Sequence, residues 1–146
     1  MQDRAGLYEA IVEGVIKGGK PFLGICVGMQ MMATKGLEYK ETSGFDWTGG
    51  EVAKITPSDT SLKVPHMGWN LLVEQEGPLL QDLPADPYVY FVHSYYVEPG
   101  ESTIATCDYG IPFSAIMQKD NYYATQFHPE KSGVVGAKIL ENFLAI

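Results

Sequence analysis

The chain has 146 residues, 45% hydrophobic and 19% charged, a balance that suits one folded domain over residues 1–146 and excludes a disordered chain. A net charge of −8 argues against nucleic acid or an anionic membrane surface as partner, since both would repel it. No apolar run approaches the roughly 20 residues of a membrane span. Residues 1–6 are polar and lack the apolar stretch of a secretory signal. Cys26 and Cys107, far apart, make no disulfide framework, so a cytoplasmic enzyme is the expected class.

Taken in order, Leu7, Ala10, Ile11, Val15 and Ile16 recur at helical spacing with Glu9, Glu13 and Lys17 between them. This predicts an amphipathic helix, stopped by Gly18-Gly19. Residues 22–25 are an apolar run that reads as a buried strand. Met29, Met31 and Met32 then fit a helix again. Residues 34–50 are polar and glycine-rich and read as a surface loop. A strand is expected at 50–55, a turn at 57–60 and a strand-like stretch at 70–73. Residues 76–86 read as a turn-rich connection. Residues 88–92, all aromatic or β-branched, predict a strong strand. Residues 102–107 and 111–118 read as a hairpin around Tyr109-Gly110. An alternating aromatic strand at 122–127 and an amphipathic helix at 133–144 complete an α/β pattern.

Cys26 falls where the first strand turns into a helix, flanked by Gly24 and Gly28. The pattern G-x-C-x-G is the thiol form of a nucleophile elbow, a tight turn that holds the nucleophile in a strained backbone conformation. The adjoining helix N-terminus is expected to favour thiolate, and the Val27 N–H to face a developing oxyanion. On the elbow alone, Cys26 reads equally well as a structural core thiol. The other end of the chain shifts the balance. His128-Pro129-Glu130 closes an extended run, where residues two apart point to one side. Glu130 can therefore orient His128 as the base a thiol nucleophile needs. His66, His93, His128, Cys26 and Cys107 contain no pair at zinc-motif spacing, so no metal and no cofactor is expected.

At this point the residues match a family. Gly24-Ile25-Cys26-Val27-Gly28-Met29-Gln30 and Phe127-His128-Pro129-Glu130-Lys131-Ser132 resemble the class I (triad) glutamine amidotransferases. Pro65-His66-Met67-Gly68-Trp69-Asn70 and Tyr90-Phe91-Val92-His93-Ser94-Tyr95 look like the glutaminase subunits of imidazole glycerol phosphate synthases within that family. The resemblance runs from about residue 7 to the C-terminus. It implies a three-layer, flavodoxin-like α/β fold with a mixed sheet flanked by helices. It implies a Cys26, His128, Glu130 triad, an oxyanion donor at the Val27 N–H, and a glutamine pocket formed by Gly28, Gln30, Glu38, His93, Ser94 and Tyr95. In that reading Glu38 holds the α-amino group of glutamine; read by itself it is a solvated loop carboxylate. The implied partner is a (β/α)₈ cyclase subunit that receives ammonia, with residues 65–70 near the contact. Two other readings stay open: another cysteine hydrolase on the same scaffold, such as a γ-glutamyl peptidase, and an inactive fragment. The resemblance also places further strands and a glycine-rich oxyanion segment upstream of Met1. An N-terminally truncated member is therefore expected, a poor glutaminase with an exposed edge on the 22–25 strand.

Overall fold

The computed structural model describes residues 6–32, 35–36, 42–43, 47–73 and 77–146. Helix α1 (Leu7–Ile11) continues as a π-helical stretch, Val12–Lys17. The predicted amphipathic helix is present but widened: the Gly18 N–H donates to the Glu13 carbonyl, five residues back, at 2.9 Å. The widened turns bury Val15. Gly19, at φ +73°, then reverses the chain into strand β1 (Phe22–Ile25), the elbow, and helix α2 (Val27–Met31).

Strands β2 (Lys35–Gly36), β3 (Thr42–Ser43), β4 (Glu51–Lys54) and β7 (Tyr95–Val97) form one sheet in the order β3-β2-β4-β7. Strands β8 (Thr103–Asp108), β9 (Pro112–Lys119) and β10 (Tyr122–Thr125) join β1 in a second, ordered β1-β10-β9-β8. This second sheet is mixed: β1 and β10 are parallel, while β10–β9 and β9–β8 are antiparallel. Among the described strands, β1 pairs with β10 alone. Strands β5 (His66–Leu71) and β6 (Tyr88–His93) form an antiparallel pair. Helix α3 (Gly133–Leu144) follows a short 3₁₀ turn, Pro129–Lys131.

Two expectations are corrected. Residues 34–50 are not simply a surface loop: Lys35–Gly36 and Thr42–Ser43 are strands, and Trp47 is buried against Phe22 and Tyr122. The strand expected at 70–73 begins four residues earlier, at His66. Tyr95 to Val97, to which the sequence assigns no element, is a strand paired with β4.

Two apolar clusters sit on the faces of the β1-β10-β9-β8 sheet. One gathers Phe91, Phe113, Phe127, Ile116 and Ile139. The other gathers Val15, Met29, Met32, Trp47 and Tyr122. Burial of such side chains contributes roughly 1.5–3 kcal/mol each, and here it anchors the strands whose carboxyl ends carry the site. Among the described residues no helix is long and apolar enough to cross a membrane.

Candidate active site

Cys26 lies immediately after β1 with φ 54° and ψ −103°, a backbone conformation that L-residues rarely hold. Two contacts impose it. The Cys26 N–H donates to the Thr125 carbonyl at 2.7 Å, so the parallel register with β10 extends into the turn. Gly24 packs against α2 so closely that a Cβ there would meet the Gly28 carbonyl carbon and the Met32 sulfur at 2.9 Å each. A Cβ on Gly28 would meet nothing within 4 Å, leaving open space beside the elbow.

Strand β6 brings the two ends of the chain to one edge. The Cys26 thiol faces the Val92 carbonyl at 3.9 Å, and the His128 N–H donates to the Tyr90 carbonyl at 3.0 Å. Carbonyls two residues apart in a strand point the same way, so the elbow and the His128 backbone flank the same edge of β6. His128 Nδ1 lies 2.6 Å from Glu130 Oε1. The carboxylate accepts, so Nδ1 carries the proton and Nε2 keeps a lone pair for base chemistry. Ser132, buried, holds this turn: its Oγ donates to the His128 carbonyl at 2.6 Å and accepts from the Tyr90 N–H at 2.9 Å.

Burial is the largest influence on the Cys26 thiol and pushes its pKa up from the usual 9.0; the Glu130 charge adds to this. The Val27 N–H and the Gln126 amide pull the other way and do not prevail. The expectation that the helix N-terminus favours thiolate is thus corrected. Helix α2 has only five residues, and its effect is smaller than the cost of desolvating a sulfur anion. The thiol is therefore held in its protonated form at neutral pH. Cys107, in the core, is pushed up to about 12, chiefly by burial, and is inert.

A cavity of about 510 Å³ opens beside the thiol, lined by Cys26, Val27, Gln30, His93, Ser94 and Tyr95, with Lys54 and Val64 at its wall. That volume suits a small-molecule ligand. Gln30 does not extend freely into it: its Nε2 donates to the Tyr95 carbonyl at 3.2 Å and to Gln126 Oε1 at 3.3 Å. The Ser94 carbonyl is occupied by the Ile55 N–H at 2.8 Å. Glu38 lies outside the described residues. Gln126 is fully buried and was not anticipated; its Nε2 points at Cys26 Sγ at 3.7 Å. A polar residue inside the apolar run 122–127, next to the base motif, was the available signal. Lys54 and Val64 had no signal in the sequence. Among the described residues, no three His, Cys, Asp or Glu side chains are grouped to hold a metal ion.

His93 lines the cavity and His66 stands behind it, 5% and 3% exposed. Burial lowers both to about 4 from 6.5, and for His66 the neighbouring His93 adds to the effect. Between those values the unfolded chain binds protons that the fold does not. Stability from the neutral pair is complete above pH 6.5 and is lost as pH falls toward 4, at up to about 1.4 kcal/mol per pH unit per ring. The unfolding midpoint is expected to drop steeply between pH 6.5 and 4.5, and less steeply in His66→Phe. A wild-type midpoint that is flat across this window would contradict the assignment.

Fold and elbow together place the chain among α/β domains that carry a cysteine at a strand-to-helix turn. It belongs to the class-I glutamine amidotransferases, whose family model matches residues 2–146. The chain is 48% identical over 147 residues to the imidazole glycerol phosphate synthase subunit HisH of Ruegeria pomeroyi, covering 99% of this chain and 69% of that protein. It is 51% identical to the HisH subunit of Cereibacter sphaeroides, covering 95% and 67%. A Thermotoga maritima glutamine amidotransferase shares the fold with a TM-score of 0.60 and 19% identity, covering 94% of this chain and 53% of that one. A Thermoplasma acidophilum protein does so at 0.66 and 22%, covering 94% and 62%. The chain therefore spans about two thirds of its curated relatives and somewhat more than half of these two solved structures.

Proposed function

We propose that this chain is the glutamine-hydrolysing subunit of an imidazole glycerol phosphate synthase, supplying ammonia to a cyclase partner in histidine biosynthesis. The observation that carries the reading is the elbow cysteine and the His128–Glu130 pair flanking one edge of β6, beside a cavity of about 510 Å³. The identity to the HisH subunits supports it. In this reading Cys26 Sγ attacks the side-chain amide carbon of glutamine while its proton passes to His128. The carbonyl oxygen, now an anion, is met by the Val27 N–H. The carbon–nitrogen bond breaks, His128 returns the proton to the leaving nitrogen, and ammonia departs. Water, deprotonated by His128, then cleaves the γ-glutamyl thioester to glutamate. Glu130 keeps the imidazole in the Nδ1–H form throughout. Glu38 remains the proposed anchor for the substrate α-amino group, and Ser94 and Tyr95 the pocket wall.

The partner is a (β/α)₈ cyclase subunit, and the proposed contact is the outer face of β5 and β6. Met67, Trp69 and Tyr88 there are 64%, 56% and 49% exposed, a concentration of large apolar side chains that suits an interface core. Val64, at the cavity wall, precedes β5 by two residues. The test is product analysis on the chain mixed with a synthase cyclase subunit. Glutamate and ammonia should form in equal amounts from glutamine and not from asparagine. Release of glutamate from γ-glutamyl peptides in preference to free glutamine would favour a peptidase instead.

A further inference from the structure

The proposed chemistry gives no step to two buried histidines, one of which, His93, lines the cavity. His66 of β5 and His93 of β6 are register partners, and His66 Nδ1 lies 2.9 Å from His93 Nε2. The two ends of this contact determine where each proton sits. His93 Nδ1 is 2.8 Å from the Tyr95 carbonyl oxygen, which can only accept, so Nδ1 is protonated. At the other end the Asn70 amide is oriented by the backbone: the Leu71 N–H donates to its Oδ1 at 2.8 Å, and its Nδ2 donates to the Asp108 carbonyl at 3.0 Å. The same Nδ2 lies 3.3 Å from His66 Nε2, which must therefore accept. The remaining proton lies between the rings, on His66 Nδ1. Each ring is neutral, and donation runs one way, from Asn70 to His66 to His93 to Tyr95. A second proton on either ring would set two donors face to face. His66 cannot rotate to avoid this, because Phe91 and Tyr109 stack on it at 4.8 and 4.0 Å.

The Tyr95 carbonyl is a junction. Besides His93 it accepts from Gln30 Nε2 at 3.2 Å. Gln30 donates in turn to Gln126 Oε1, and Gln126 Nε2 faces the Cys26 thiol. A continuous hydrogen-bond path thus runs from the inner face of β5 to the elbow sulfur. The outer face of the same strand carries Met67 and Trp69.

We propose that the His66–His93 pair is a positioning element for the glutamine pocket: through the Tyr95 carbonyl it holds the Gln30–Gln126 amide pair against the Cys26 thiol, and it ties that arrangement to the strand bearing Trp69. The proposal rests on the glutaminase reading above. Neither ring is hydrogen-bonded to Cys26, whose sulfur meets the Val92 carbonyl and the Gln126 amide.

The test uses the complex with the cyclase subunit and two probes of Cys26: a chloroketone analogue of glutamine, which must occupy the pocket to react, and iodoacetamide, which need not. His93→Phe keeps a ring but removes both nitrogens. It should raise KM for glutamine and slow chloroketone alkylation about tenfold or more, as loss of a buried hydrogen bond does, with iodoacetamide alkylation changed less than about twofold. His93→Asn, whose Nδ2 can replace Nδ1 as donor to Tyr95, should recover most of the loss. Equal slowing by both probes, or no slowing in a folded His93→Phe, overturns the proposal, as does failure of His93→Asn to rescue. Should His93→Phe not fold, ¹⁵N spectra of the wild-type rings decide: both must carry Nδ1–H and remain neutral at pH 6, and an Nε2–H on either ring overturns it. A wild-type complex that forms no glutamate removes the glutaminase reading instead, because ring tautomers are read without turnover.

Discussion

Cys26→Ala is expected to abolish glutamine hydrolysis by the complex, lowering kcat by at least about 10³-fold while the chain stays folded. The thiol is the proposed nucleophile, and removal of a covalent nucleophile leaves only whatever binding and oxyanion stabilisation contribute. Loss of folding does not explain the same result here: the side chain is small, sits at a surface cavity and donates only a long contact to the Val92 carbonyl, at 3.9 Å. Glu130→Gln separates the roles further. Its amide can offer a donor to His128 Nδ1 and so favours the wrong tautomer, which in a triad costs up to about 10⁴. Glutamate release over time, beside a denaturant titration, checks both variants. Turnover within tenfold of wild type in Cys26→Ala would remove the thioester route altogether.

The second large effect concerns a helix residue outside the cavity lining. Gly136 lies in α3, where the helix crosses the turn after His128. A Cβ on Gly136 would overlap the Pro129 carbonyl oxygen and stand 2.8 Å from both the Pro129 carbonyl carbon and the Ser132 Cβ. Gly136→Ala is therefore expected to destabilise the fold by about 3 kcal/mol, the upper part of the overpacking range. For this chain length that lowers the unfolding midpoint by roughly 10 °C. The surviving folded molecules should also be slow, because the displaced turn carries His128, Glu130 and the Ser132 hydroxyl that links it to Tyr90. The sign is diagnostic, since glycine to alanine inside a helix ordinarily stabilises by up to about 1 kcal/mol. Gly14→Ala is the control: its Cβ would meet only Lys20 Cδ, at 3.8 Å. An unchanged denaturation midpoint in Gly136→Ala would mean that the helix and the turn are not in fixed contact.

The elbow was legible because Gly24, Cys26 and Gly28 fall at the change from an apolar run to a helical pattern, so period and turn chemistry agreed. The His128–Glu130 pair was legible because two-residue spacing in an extended segment leaves little choice of geometry. The β5–β6 pair was only half visible. Val89 and Phe91 face inward as their types predict, but His66 and Asn70 do too, and their burial depends on partners elsewhere in the chain. Trp47 was hidden for the opposite reason: an aromatic residue inside a polar, glycine-rich stretch without regular apolar spacing has no periodicity to report its burial. At the thiol it was the direction of the pKa shift that the sequence did not reveal. Sequence displays a helix start beside Cys26, whereas the desolvation comes from packing around the thiol, which only the fold assembles.

The backbone angles at Cys26 set what the fold wants against what the reaction wants. A residue at φ 54° and ψ −103° strains any side chain, on the order of 1–3 kcal/mol, and glycine alone occupies that region without cost. Selection for abundance would drive this position toward glycine, while selection for growth without added histidine would hold it at cysteine. A copy of the gene released from biosynthetic demand should therefore gain thermal stability at the very codon where it loses catalysis. Heat resistance among such relaxed descendants would then mark lost activity rather than improved protein.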